Sequence, residues 1–206
     1  MADIPFLNPS VLTQLDLPIP NRIETPLTLE PLNLNRPYEP SKEIQAYRRL
    51  YGLDQLEGQF WQGYVKMPLF KLHVQVYQPV IDQIKGTVFL LHGYLEHSGI
   101  YQPIIRELLD QGFSVITYDL PGHGLSDGNA ASIQNFDHYQ QVLHAVHQYL
   151  RNADQLPKPW LGIGQSTGAA IWMHHLLEYA EQRKNPIVER VLLLSPLVRP
   201  AKSAWW

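Results

Sequence analysis

The chain has 206 residues, 45% hydrophobic and 17% charged, the balance of an ordinary globular domain with enough apolar side chains to bury a core. A formal net charge of -3, with no basic run, argues against nucleic acid or an anionic membrane surface as a partner. The lack of cysteine excludes disulfide frameworks, thiolate metal sites and cysteine nucleophiles.

In chain order, MADIPFLNPS has no basic stretch leading into an apolar run, so no signal peptide is expected. No apolar segment approaches the roughly 20 residues of a membrane-spanning helix. A soluble, cytoplasmic protein without an integral membrane segment is the expectation. Eight of the 17 prolines fall in the first 40 residues. Proline fixes φ and removes a backbone donor, which predicts an extended arm packed along the surface rather than a long helix or a central strand. Ser41 is placed to cap a short helix that carries Ile44, Tyr47 and Tyr51 on one face and stops near Gly52. Residues 1–57 are thus read as an arm with a short helix, and 58–206 as the main domain.

In FKLHVQVY, Phe70, Leu72, Val74 and Val76 alternate with Lys71, His73 and Gln75. This predicts a half-buried strand, paired in a hairpin with 60–65, with His73 on the polar surface. From Thr87 the pattern changes. The apolar runs 88–91, 114–118, 159–164 and 191–195 alternate with amphipathic stretches at 100–111, 132–150 and 167–183. Within 132–150, Ile133, Phe136, Leu143, Val146 and Leu150 are spaced for one helical face. Strands buried on both faces by crossover helices read this way. The expected class is α/β, a mostly parallel open sheet with helices on both faces.

Ligands in such sheets bind beyond the carboxyl ends of the strands. Those ends are His92-Gly93-Tyr94, the stretch from Asp119 to Gly128, Gln165-Ser166-Thr167 and Ser195-Pro196. The stretch LGIGQSTGAA admits two readings. Gly162, Gly164 and Gly168 resemble a loosened dinucleotide fingerprint, but the next strand ends in Ser195 instead of an acidic residue, and Glu189 lies at its wrong end. No lysine follows the glycines, which excludes a phosphate-binding P-loop.

Gly164-Gln165-Ser166-Thr167-Gly168 also spells G-x-S-x-G. A strand that turns sharply into a helix crowds the turn, and glycines at 164 and 168 relieve the crowding. Ser166 then sits above the sheet at the positive end of a helix dipole as the candidate nucleophile. The backbone N–H groups of Thr167 and of Tyr94, in the loop after the first parallel strand, suit an oxyanion hole. Gly93 permits the turn that aims the Tyr94 amide, and His92 supports the loop without moving a proton.

HGYLEHSGIY, YDLPGHGLSDG and GQSTGAA together resemble the monoacylglycerol lipase and lysophospholipase branch of the α/β-hydrolase fold. The branch pattern H-G-x-x-E-H-S-x-x-Y is met by His92, Gly93, Glu96, His97, Ser98 and Tyr101. D-x-x-G-H-G-x-S-x-G is met by Asp119, Gly122, His123, Gly124, Ser126 and Gly128. Leu95 stands where the branch commonly has glycine. The resemblance covers roughly residues 58–200. It implies a serine hydrolase of small-molecule acyl esters, of monoacylglycerol or lysophospholipid type, needing no cofactor and no metal.

In this fold the acid and then the histidine follow the serine. After Ser166 there is no aspartate, and the only histidines are His174 and His175. Along a helix these lie roughly 12 Å or more from Ser166, too far to act as its base. The triad acid and histidine are therefore unknown and expected outside this chain. His97, His123 and Asp119 read as structural loop residues, and His144 and His147 as a solvated helix face. With no strand beyond 191–195, that strand becomes an exposed apolar edge, and the two tryptophans of AKSAWW read as the start of a cap. The expectation is the N-terminal portion of an α/β-hydrolase, lacking its last strands and most of its cap. That leaves room for a C-terminal complement or a homo-oligomer. The alternative is a non-catalytic acyl-ligand-binding or interaction protein derived from a hydrolase.

Overall fold

Ser41 caps as its position suggests: its hydroxyl accepts the Ile44 N–H at 3.3 Å and opens helix α1 (Lys42–Leu50) in the computed structural model, whose described residues are 29–198. The expectations for residues 1–28 of the arm and for the cap residues 201–206 lie outside the described residues. Strands β1 (Gln59–Lys66) and β2 (Lys71–Gln78) form the expected antiparallel hairpin, in register from Gln59–Gln78 to Lys66–Lys71. Then β3 (Gly86–Leu91), α2 (Gln102–Asp110), β4 (Phe113–Tyr118), α3 (Asp137–Leu150), β5 (Trp160–Gln165), α4 (Thr167–Glu181) and β6 (Arg190–Leu194) alternate as the sequence pattern implies. The second amphipathic stretch becomes helical at Asp137 instead of Ser132. A 3-10 turn, Ser98–Tyr101, leads into α2.

The sheet order is β1-β2-β4-β3-β5-β6, with β4, β3, β5 and β6 parallel to one another and β2 antiparallel to both of its neighbours, β1 and β4. Alternate side chains feed two cores. On one face Val74, Val76, Phe89 and Ile116 meet Val142, Leu143 and Val146 of α3 and Ile171 and Trp172 of α4. On the other, Tyr77, Leu90 and Val115 meet Leu53 and, from α2, Ile105 and Leu109. Each such fully buried side chain contributes about 1.5–3 kcal/mol of transfer free energy, which is what sets the sheet between its helices. Among the described residues no helix is long and apolar enough to cross a membrane.

Two expectations change. His73 is not on a polar surface: it is fully buried. Strand β2 lies between β1 and β4, so its second face is roofed by α1 and the 98–101 turn. Polar residues there are paired with one another. The Gln75 amide donates to Ser98 Oγ at 2.6 Å, and the Tyr77 hydroxyl donates to Gln75 Oε1 at 2.6 Å.

The arm, where described, is built into the domain more deeply than a surface strap. Leu32 and Leu34 join the first core cluster, and residues 30–32 pair with the free edge of β1 through Tyr64 N–H to Glu30 O (2.8 Å) and Leu32 N–H to Tyr64 O (3.0 Å). That edge is thereby closed. The β6 edge is open among the described residues, with Leu192 53% exposed.

Candidate active site

Strand β5 runs without a loop into α4, and the residue at the bend is Ser166, with φ 49° and ψ -109°. A serine in that region is strained, and the surroundings hold it there. Its N–H donates to Leu194 O of β6 at 2.9 Å, and its carbonyl accepts the N–H of Ala170 (2.9 Å) and Leu197 (3.1 Å). The flanking glycines are needed for space. A Cβ on Gly164 would stand 2.6 Å from the Ala169 nitrogen, and one on Gly168 would stand 2.7 Å from the Leu91 carbonyl carbon. α4 can therefore start hard against the end of β3.

The loop after β3 lies beside this bend: a Cβ on Gly93 would be 3.3 Å from Ser166 Cβ. The Gly93 N–H donates to Glu96 Oε2 (2.9 Å) and Tyr101 Oη (3.2 Å), and the Tyr101 hydroxyl lies 3.0 Å from Gln165 Oε1. Burial and its bond to Glu96 hold the Tyr101 hydroxyl protonated, its pKa well above the ordinary tyrosine value. Glu96 and Tyr101 thus tie the loop to the residue that precedes Ser166. The sequence motif contained both residues; their roles depend on contacts across the loop that spacing does not reveal. His92 is fully buried, with Nδ1 2.7 Å from Gly93 O and Nε2 accepting the Leu120 N–H at 2.8 Å. Burial lowers its pKa. Among the described residues the N–H groups of Tyr94 and Thr167 have no acceptor in the protein.

Asp119, at the end of β4, is a buried hub. Its carboxylate accepts from Ser98 N (2.8 Å), Ser98 Oγ (2.6 Å), Leu125 N (2.8 Å) and His73 Nδ1 (3.0 Å). Burial alone would raise its pKa. The His73 bond, with the backbone N–H of Leu125 beside it, outweighs burial and holds it well below the usual carboxylate range. His97 Nδ1 accepts the Gly99 N–H at 3.2 Å, and His123 Nδ1 donates to Pro121 O at 2.9 Å. These residues are occupied in holding loops.

All nine histidines are described, and none hydrogen-bonds the Ser166 hydroxyl. His174 is at the cleft wall, 3.8 Å from Asp137 Oδ1. His175 turns away from the bend: its Nε2 accepts the Ile187 N–H (3.2 Å), which leaves Nδ1–H to donate to His144 Nε2 at 3.1 Å. His144 and His147 do not form a solvated face. α3 packs on α4, and His147 stands edge-on to Trp160 with centroids 4.9 Å apart. Among the described residues no group of three or more metal-ligating side chains is placed to hold a metal.

Beside Tyr94 and Thr167 a cleft of about 790 Å³ opens, walled mainly by Ile133, Phe136, Met173, Leu177 and Val198. Its lining is apolar, with polar groups gathered at Asn135, Gln134 and His174. Such an apolar lining suits an aliphatic group, and Thr167, the residue after Ser166, stands in its wall.

The family model for the serine aminopeptidases, S33 (Hydrolase_4), matches residues 82–206, more than half of the chain. The chain belongs to this family. Among relatives of this S33 member, human monoglyceride lipase is 31% identical over 119 residues, covering 55% of this chain and 36% of the lipase. Caffeoylshikimate esterase of Arabidopsis thaliana is 30% identical over 112 residues, covering 53% of this chain and 34% of the esterase. The chain thus spans roughly a third of the length of these relatives. The fold is that of the α/β-hydrolases. Carboxylesterase CesB of Bacillus subtilis superposes with a TM-score of 0.57 at 23% identity, covering 74% of this chain and 48% of the esterase. Est1E of Butyrivibrio proteoclasticus, solved with ferulic acid bound, gives 0.53 at 25%, covering 65% and 52%. The S33 family is of serine-hydrolase type, and lipases and esterases are among this chain's relatives.

Proposed function

We propose that this chain carries the nucleophile half of a hydrolase that cleaves carboxylic esters with a single acyl chain, of the monoacylglycerol or lysophospholipid type. Ser166 Oγ attacks the acyl carbonyl, and the Tyr94 and Thr167 amides receive the oxyanion as the carbonyl becomes tetrahedral. The alcohol leaves with a proton, and water releases the acyl group from Ser166. The observation that carries this reading is the strained Ser166 at the strand-to-helix bend, with two acceptor-free amides on residues flanking an apolar cleft. The proton-accepting histidine and its orienting acid come from outside these 206 residues, since every histidine here is placed elsewhere. Gly164 and Gly168 make room for the bend, and His92 and Gly93 support the loop.

Fluorophosphonate labelling tests this, with circular dichroism as the check that each protein folds. The full gene product should label, Ser166→Ala should not, and residues 1–206 alone should label far more slowly. Labelling that persists in Ser166→Ala overturns the assignment of the nucleophile. Equal labelling of residues 1–206 and the full product overturns the placing of the base.

A further inference from the structure

His92 holds more than packing requires. Its ring is fully buried at the end of β3, and both nitrogens are engaged by backbone groups that can act in one sense only. Leu120 N–H can only donate, and it points at Nε2 from 2.8 Å. Gly93 O can only accept, and it lies 2.7 Å from Nδ1. The ring must therefore carry one proton, on Nδ1. The other tautomer would set N–H against N–H at Leu120 and lone pair against lone pair at Gly93, so both contacts would fail together. Burial keeps the ring from gaining a second proton, in keeping with this geometry.

The peptide that follows is the one whose amide faces the reaction. In a planar trans peptide the C=O and N–H point in opposite directions. Fixing Gly93 O therefore fixes the direction of the Tyr94 N–H. Glu96 and Tyr101 hold the other side of Gly93 through its own N–H. Gly93 has no side chain to limit its rotation, so these bonds do that.

We propose that His92 is a positioning residue, locked by Leu120 into its Nδ1–H tautomer, and that the bond from Nδ1 to Gly93 O orients the Tyr94 amide toward the oxyanion. This rests on the oxyanion role given to Tyr94 above.

Two substitutions separate the halves of the lock. His92→Asn keeps an N–H near the Nδ1 position and loses the acceptor for Leu120. His92→Gln keeps an acceptor near Nε2 and loses the donor to Gly93. The test uses the full gene product hydrolysing a monoacylglycerol, together with long-range proton–nitrogen NMR of the histidine rings and of the Tyr94 amide. The expected result is a kcat lower by about 10-fold or more in His92→Gln, a near wild-type kcat in His92→Asn, and KM unchanged in both. The Tyr94 amide signal should move in His92→Gln and stay in His92→Asn. A purely structural role would instead make loss of kcat follow loss of thermal stability in both variants, and that outcome overturns the proposal. In the wild-type protein His92 should appear as the Nδ1–H tautomer; an Nε2–H signal overturns the lock whether or not either variant folds. If Ser166 proves not to be the nucleophile, the oxyanion role falls, while the ring and amide signals still decide the lock. A Tyr94 signal that moves as expected with kcat unchanged overturns the positioning role alone.

Discussion

Acid should destabilise this fold between pH 7 and pH 5, above the range where most carboxylates titrate. His147 and His175 each have a pKa lowered from 6.5 to about 4. The main cause is burial at the α3–α4 contact. Arg151 and Lys158 add to it around His147, and around His175 the nearby imidazoles of His144 and His147 oppose a further positive charge. Because the folded pKa lies below the unfolded one, the unfolded chain binds more protons over this interval, and stability falls as pH falls. At pH 7 the folded histidine is almost wholly neutral and the unfolded one is about three-quarters neutral. At pH 5 the unfolded histidine is nearly all charged and the folded one mostly neutral, which costs about 2 kcal/mol per fully buried group at ~1.4 kcal/mol per pKa unit. Allowing for the partial exposure of His147, the pair costs about 3 kcal/mol, a large share of the 5–15 kcal/mol typical of a domain. Urea unfolding at the two pH values measures this directly as a shift in midpoint at constant slope. His147→Phe keeps an aromatic edge against Trp160 and should remove about a third of the loss. A midpoint that stays level or rises between pH 7 and pH 5 would refute the reasoning, because no protonation of a neutral buried ring would then be opposing the fold.

Leu95 sits at φ 62° with its side chain 73% exposed, at the position where the resembled branch commonly has glycine. Leu95→Gly should gain about 0.5–1 kcal/mol by relieving the left-handed strain, net of the chain entropy of glycine. Differential scanning calorimetry should register this as a small rise in Tm, and a fall would mean that the leucine side chain makes a contact the loop needs. Gly168→Ala pushes a methyl into the backbone of Leu91 and His92. It should cost about 2–3 kcal/mol and, since a domain of this size loses about 2–4 °C per kcal/mol, lower Tm by roughly 4–12 °C. An unchanged Tm would show that α4 is not seated where these distances place it.

Much of the framework can be read locally. A strand that buries both faces, a helix period after it and glycines at 164 and 168 place the Ser166 bend without any knowledge of distant residues. Ser41 likewise announces α1, because a cap bonds within its own turn. What escapes a local reading are residues whose partners are remote in sequence. His73 looks like the wet side of an alternating strand. Whether that side is wet depends on β4 and α1 flanking and roofing it, and on Asp119, 46 residues away, accepting a hydrogen bond from its ring. His144 and His147 show a helical spacing but not which helix lies across them. The described part of the arm follows the same rule. Proline bars it from a central strand but not from closing an edge, and Leu32 and Leu34 give no sign of where they dock.

The backbone bonds between Ser166 and the segment 194–197 tie the bend to the last described strand of the sheet. Edge strands open more readily than interior ones, and their opening exposes whatever they were bonded to. Amide exchange at Ser166 should then keep pace with that at Leu194 and Leu197 instead of with the interior of β5. The strained geometry of Ser166 would last only as long as this outer strand stays closed. Anything that docks along β6 would, by slowing that breathing, lengthen the time Ser166 spends in its bent conformation.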